Sequence, residues 1–211
     1  SDTATDVFTY TLSDGTATDT ATITITITGV NDAPVATNDA GSVNEDATLS
    51  VSNGSGDIID NNDTDADDSA SLVVSAVRIG GVEGSGNAGT VGQALTGTYG
   101  QLTLNANGSY SYVANQDAAD DLDASDQVTD VFNYTLSDGT ATDTATITIT
   151  VTGINDAPVA DNETGAVNED ATLTVTDGTS DVLHGDTDAD DSASLTVSAI
   201  RTGTEGGSGT A

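Results

Sequence analysis

Six residues beginning at Asp63, DTDADD, set carboxylates at alternate positions along the chain. An extended or looping backbone with that spacing aims several oxygens at one point, the donor arrangement that a hard divalent cation takes. The same six letters return at Asp186. Other acids gather around them: Asp32, Asp39, Glu45 and Asp46, then residues 57–68, then residues 117–130, then Asp138 and Asp143. Between Ser69 and Gln116 Glu83 stands alone. Clustered carboxylates repel one another, so the arrangement makes sense with a divalent ion among them. A merely halophilic surface would instead spread its acids over outward strand positions, which here are Thr and Ser. The pattern is no EF-hand, because the glycine at loop position six and the distant glutamate are missing.

Composition removes most other chemistry. The formal charge is −33, with 35 acids against two basic side chains, Arg78 and Arg201. Nucleic acid and anionic membrane are therefore excluded as partners. Cysteine and methionine are absent and His184 is the sole histidine, so zinc, copper, iron–sulfur and haem sites lack ligands. Oxygen ligands remain, and they suit the hard cations Ca²⁺ and Mg²⁺. Without disulfides, a secreted form of this chain must be stiffened in another way. Catalysis is not expected. The stretch aligned with His184 in the first copy (residues 60–62) carries no histidine. A glycosidic carboxylate pair needs one protonated member in an apolar pocket, whereas these acids sit in polar loops. No apolar run approaches the length of a membrane span.

Two copies of one unit organise the chain. DVFTYTLSDGTATDTATITITITGVNDAPVA from Asp6 returns from Asp130 as DVFNYTLSDGTATDTATITITVTGINDAPVA, and Asn31 and Asn155 give a period of 155 − 31 = 124 residues. VNEDATLSV from Val43 returns as VNEDATLTV from Val167, while the DTDADD offset is 186 − 63 = 123, so one residue is lost near His184. Both prolines, Pro34 and Pro158, fall in NDAPV, where a fixed φ and an extended preceding residue suit a stiff joint. The expected division is the end of one repeat (1–32), a complete repeat (33–156) and the start of the next (157–211).

Within the complete repeat, strand follows strand. GQLTLNANGSYSYV carries Asn107 and Gly108 between alternating segments, which predicts a hairpin closed by a type I′ turn. VFNYTL and TATITITVTG flank a second, longer hairpin loop at Ser137, Asp138 and Gly139, and ATLSVS and LVVSAVRI add strands. Residues 117–127 have room for one helical turn at most. About seven short strands in ~124 residues predict an all-β fold, a tandem immunoglobulin-like sandwich. The seven aromatics, Phe8, Tyr10, Tyr99, Tyr110, Tyr112, Phe132 and Tyr134, are expected in strands as core and cross-strand packing.

The series TGxNDAPV, NED, DTDAD, GTYGQLTLNANGSYSYV and DVFNYTLSDGTATDTATITIT resembles the VCBS-type and bacterial cadherin-like repeats of giant RTX-class adhesins exported by type I secretion. The resemblance covers essentially the whole chain. It implies cadherin-like sandwiches strung end to end with Ca²⁺ at the joints. Asn31 and Asp32, and Asn155 and Asp156, would be linker ligands. Glu45 and Glu169 match the glutamate near the first strand, and Asp46 and Asp170, beside them in NED, join the expected ligand set. Asp63, Asp65 and Asp67, with Asp186, Asp188 and Asp190, match the DxD element. Asp14 and Asp138 match the aspartate of the loop before the last strand, and Asp130 completes the expected ligand set. The joint lacks a further Asp and a second Asn of cadherins, which leaves the number of ions per joint open. GGxGxD roll motifs are absent, so the resemblance implies stalk.

The expected function is a Ca²⁺-stiffened extender of a bacterial surface adhesin or fibre, outside the cell, whose partners are neighbouring repeats. The alternative is a sandwich whose loops bind carbohydrate or peptide. Near-identical copies favour the spacer. Threonine arrays can bind ice, but one Thr-rich strand per repeat suits β-propensity instead.

Overall fold

The computed structural model describes residues 2–203 apart from 55, 60, 61, 68, 69, 177, 179, 180 and 191. A hairpin of β1 (Thr3–Ser13) and β2 (Thr18–Thr28) comes first. Then follow β3 (Asp39–Asn44), β4 (Thr48–Val51), β5 (Val73–Ile79), β6 (Ala94–Thr96), β7 (Gln101–Leu104), β8 (Tyr110–Val113), the single helical turn α1 (Asp117–Asp120), β9 (Gln127–Ser137) and β10 (Thr142–Thr152). β3 to β10 form two four-stranded sheets, ordered β3-β10-β9-β5 and β4-β8-β7-β6. The described residues are thus all-β apart from α1, and β3 to β10 form a two-sheet sandwich.

Alternation explains the core. In β10 the threonines face outward while Ala145, Ile147, Ile149 and Val151 point inward and are buried. Phe132, Tyr134 and Leu136 of the neighbouring β9 join that inner face, and Leu102 and Leu104 of β7 with Tyr110 and Tyr112 of β8 meet it from the other sheet. Tyr112 and Phe132 pack edge to face with centroids 6.3 Å apart. A polar latch ties β9 to the start of β3 within one sheet. The Tyr134 hydroxyl donates to the Thr37 carbonyl and the Asp39 carboxylate, both at 2.9 Å. β3 runs parallel to β10, so the first strand of the repeat adds beside its last.

Several expectations need correction. β3 and β6 escape the alternating pattern, because DAGSVN offers few apolar residues and β6 has only three residues. β3 is held instead by its pairing with β10, and at Gly41 a Cβ would lie 2.7 Å from Leu49 Cδ2 and 3.0 Å from Ile149 Cδ1. The β7–β8 turn is not type I′. Only Gly108 has positive φ (88°), and Asn105 both receives the Gly108 N–H at 3.0 Å and donates to Ser109 O at 2.9 Å. That is a type I turn with a glycine bulge. Tyr99 lies in the β6–β7 turn, outside the strands. Phe8 and Tyr10, in β1, are 53% and 47% exposed, because β1 and β2 have no second sheet against them. No strand occurs among the described residues after β10; an isolated bridge joins Val159 and Thr187.

Candidate cation site at the repeat joint

The exit end of the sandwich gathers acids from four segments. The β3–β4 turn supplies Glu45 and Asp46, with Asp46 in the left-handed region (φ 57°) and its N–H on Ala114 O at 2.9 Å. Asn and Asp tolerate that conformation because their short polar side chains bond locally. The single-turn helix supplies Asp117 and Asp120, three residues apart and so on one face. The segment after β10 supplies Asn155 and Asp156. The loop of the second DTDADD docks through Asp190, whose Oδ2 accepts the Asp156 N–H at 3.2 Å, while Asp188 Oδ1 accepts the Asp190 N–H at 3.1 Å. The Asn155 side-chain amide donates to the Asp156 carbonyl.

Glu45 is the centre of this group. It is 1% exposed; its Oε1 accepts the Ile154 N–H at 2.5 Å, and its Oε2 is buried without a partner. Asp120 Oδ1 and Asp190 Oδ1 are likewise buried and unpartnered. Burial raises the pKa of Glu45, against the Ile154 N–H, and the charges of Asp156, Asp190 and Asp46 push it further up. Asp120 is raised by burial and then by Asp46, Asp117, Asp156 and Asp121. Asp190 is raised by burial, opposed by the Asp156 N–H, and then by Asp188, Asp156 and Asp123. All three groups thus feel the negative charge of Asp156 and of further acids around the joint. No three or more acidic or histidine side chains among the described residues are yet closed into a coordination shell. The donor chemistry nevertheless fits a hard cation: carboxylate oxygens, buried, mutually repelling and unpaired.

The entry end of the sandwich presents a second group. Asn31 donates to Asp138 Oδ2 at 2.9 Å, Asp67 Oδ2 accepts the Asp32 N–H at 3.1 Å, and Asp65 Oδ1 accepts the Asp67 N–H at 2.8 Å. Asp65 Oδ2 is buried and unpartnered. Asp138 sits there because the β9–β10 loop lies at this end; its Oδ1 caps the turn through the Ala141 and Thr140 N–H groups. Those bonds, then the one from Asn31, lower its pKa. Asp14 caps the β1–β2 turn through Ala17 and Thr16, which lowers its pKa in the same way, and it meets none of the other expected ligands. Glu169 and Asp170 repeat the acidic turn, Asp170 at φ 60° and the Ala171 N–H on Asn168 O at 3.2 Å, with both side chains exposed.

Three expected ligands have other partners. Asp63 Oδ1 accepts the Thr37 N–H at 2.7 Å and its hydroxyl at 3.2 Å, tying the segment before β3 to the loop. Burial raises its pKa against those bonds, and Asp143 adds repulsion. Asp186 holds the Asp161 N–H at 2.7 Å, the same tether one repeat later. Asp130 departs furthest from its expected role. At 5% exposure it accepts the Thr98, Tyr99 and Gly100 N–H groups and, at 2.6 Å, the Tyr112 hydroxyl. It latches the β6–β7 turn to the core, and its oxygens are already in use. Sequence reasoning passed over Asp117, Asp120 and Asp123, although DAADDLD displays them; their spacing becomes informative only once one helical turn is assigned there.

An open cavity of ≈ 930 Å³ lies over residues 155–200. Its lining includes Val197 and Ile200, whose counterparts Val74 and Val77 are 2% and 1% exposed in the complete sandwich. The cavity is thus lined in part by counterparts of residues buried in the sandwich.

A family model described as a bacterial cadherin-like domain matches residues 31–153. Among solved structures, the chain is similar to the Protocadherin GammaB4 extracellular domain at 15% identity, over 77% of this chain and 24% of that one, with a TM-score of 0.40. It is also similar to mouse clustered PcdhgC3 EC1-3 (11% identity, 76% and 46% covered, TM-score 0.33). The endo-fucoidan hydrolase MfFcnA4 of glycoside hydrolase family 107 matches at 20% identity (71% and 19% covered, TM-score 0.28). The chain spans less than half the length of each of these proteins. No curated protein matches significantly.

Proposed function

Because the chain belongs to the bacterial cadherin-like domain family, we propose that it is a run of extender repeats in the stalk of a secreted bacterial surface adhesin, stiffened by Ca²⁺ at each joint. The family consists of extracellular, non-catalytic domains. One observation carries the proposal: Glu45 is buried at 1% exposure with Oε2 unpartnered, and the charges acting on it are those of other acids. Leaving a charged group in that state is costly, so something positive belongs beside it.

Ca²⁺ would supply positive charge to the joint and take the unpartnered oxygens as ligands. Glu45, Asp46, Asp120, Asn155, Asp156, Asp188 and Asp190 would hold it at the exit joint. Asn31, Asp32, Asp65, Asp67 and Asp138 would serve at the entry joint, and Asp14, Glu169 and Asp170 at joints one repeat away. The chain's own part is to place them. The β3–β4 turn and α1 present acids from one repeat, and Asp156 bonds the DxD loop of the next to the same spot. The parent protein is then an RTX-class adhesin exported by type I secretion, as the VCBS-like motif series implies, and its mechanical task is reach.

Small-angle scattering and thermal melting, each with Ca²⁺ and with chelator, test the proposal. The expected outcome is a shorter maximum dimension and a lower melting temperature in chelator. With Ca²⁺ about 100-fold above Kd, each site adds roughly 2.7 kcal/mol. Unchanged dimension and melting temperature would sink it.

A further inference from the structure

The segment between α1 and β9 makes contacts at the joint that need no ion. Gly153, the residue after β10, donates to Asp126 O at 2.9 Å and accepts the Ser125 N–H at 3.0 Å. The fit is close: a Cβ at Gly153 would collide with the Asp123 carbonyl oxygen and lie 2.9 Å from Leu122 Cβ. The direction in which the chain leaves the sandwich is thereby set by residues 122–126. The preceding copy keeps part of the arrangement, for Gly29 donates to Asp2 O at 2.8 Å, and Gly29 and Asp2 stand 124 residues before Gly153 and Asp126. The same short segment then reaches across the joint. Asp123, half-buried, accepts the Ser192 N–H at 3.2 Å on Oδ1 and the Ser192 hydroxyl on Oδ2.

We propose that residues 122–126 are a clasp that fixes the orientation of each repeat on the next, through Gly153 below and Asp123 to Ser192 across, without a cation. Two bonds to one carboxylate, from a backbone N–H and the hydroxyl of the same residue, define direction as well as distance. Ca²⁺ accepts six to eight oxygens in flexible geometry, so it selects one orientation less sharply than this pair does. The division of labour follows: Asp123 and Ser192 choose the angle, and the joint acids set how firmly it is held. Asp123 and Ser192 are positioning residues and are not counted among the proposed ligands. The proposal rests on the tandem-joint reading above but not on the presence of Ca²⁺.

The chain has no cysteine, so spin labels can be placed cleanly at Thr96→Cys and Ser198→Cys, both exposed, one on each side of the joint. The label–label distance distribution is measured by double electron–electron resonance on the whole chain, in chelator and again with Ca²⁺. In chelator the parent chain is expected to show a single-peaked distribution, narrower than that of the variants, which Ca²⁺ narrows further. Ser192→Ala should widen it by about twofold or more, Asp123→Ala further, and Ser192→Thr, which keeps the hydroxyl, should restore it. Ser192 lies outside the sandwich, so its variants cannot act by unfolding residues 31–153. A distribution as broad in the parent as in Ser192→Ala, or as narrow in both variants as in the parent, overturns the clasp. Failure of the Ca²⁺ proposal shows separately, as distributions that Ca²⁺ leaves unchanged while the variants still differ.

Discussion

Glu45 and Asp130 are both buried acids, yet the structure gives them opposite circumstances. Asp130 has four donors on its two oxygens, whereas Glu45 has one donor and a bare oxygen. Asp130→Asn is therefore expected to cost about 3 kcal/mol in urea unfolding, equally with and without Ca²⁺, because N–H groups would face an amide NH₂. Glu45→Gln should act with two signs: a higher melting temperature in chelator, where repulsion is relieved, and a smaller gain on adding Ca²⁺. The pH response in chelator follows from the same groups. Glu45, Asp120 and Asp190 have pKa values raised in the folded chain above 4.5 and 3.8, so the folded chain holds protons more tightly than the unfolded one. That stability is fully present below those unfolded values and is lost as pH rises through the folded ones. The melting temperature in chelator should thus fall as the pH rises above about 4, and Glu45→Gln should flatten the slope. Asp14 and Asp138, whose values are lowered, act in the other direction only below 3.8.

At the scale of elements, the acidic turn, the helical turn and the β9–β10 loop matter because the sandwich sends them to particular ends. The β3–β4 turn and α1 share the exit end, and the β9–β10 loop, carrying Asp138, shares the entry end with Asn31. Parallel pairing of β3 with β10 brings the repeat's first strand to its last, and the Glu45 N–H bonds Thr152 O at 3.0 Å. Gly41 is the tight point of that arrangement. Gly41→Ala would press on Leu49 Cδ2 and Ile149 Cδ1, and overpacking of this kind costs about 1–3 kcal/mol. Because β3 carries the joint turn, the same variant should weaken Ca²⁺ binding measured by titration calorimetry. Legibility differed among elements. The long strands show their period-two pattern, while β3 and β6 do not, since a short strand with glycine is defined by its partner rather than its own residues.

For the whole molecule, the charge of −33 admits two accounts, general screening and specific binding. Screening depends on ionic strength alone, with a Debye length of about 10 Å at 0.1 M. Millimolar CaCl₂ should raise the melting temperature more than NaCl at equal ionic strength; equal shifts would leave only screening. The repeat period, the all-β class and the grouping of acids are properties of the sequence by itself, because they rest on residue spacing and local backbone preference. So is the hairpin register: Ser13 pairs with Thr18 as Ser137 pairs with Thr142, one repeat apart. Tertiary structure alone decides what those strands bury. TDTATITITIT is exposed throughout as β2, whereas the nearly identical TDTATITITVT is buried at alternate positions as β10, since burial needs an opposing sheet. It also decides which acids are ligand candidates. DTDADD spaces its carboxylates evenly, but folding ties Asp63 to Thr37, turns Asp67 toward the joint segment and leaves Asp65 bonded within its own loop. It also carries Asp130, equally acidic in sequence, into the core, where N–H and hydroxyl donors hold it.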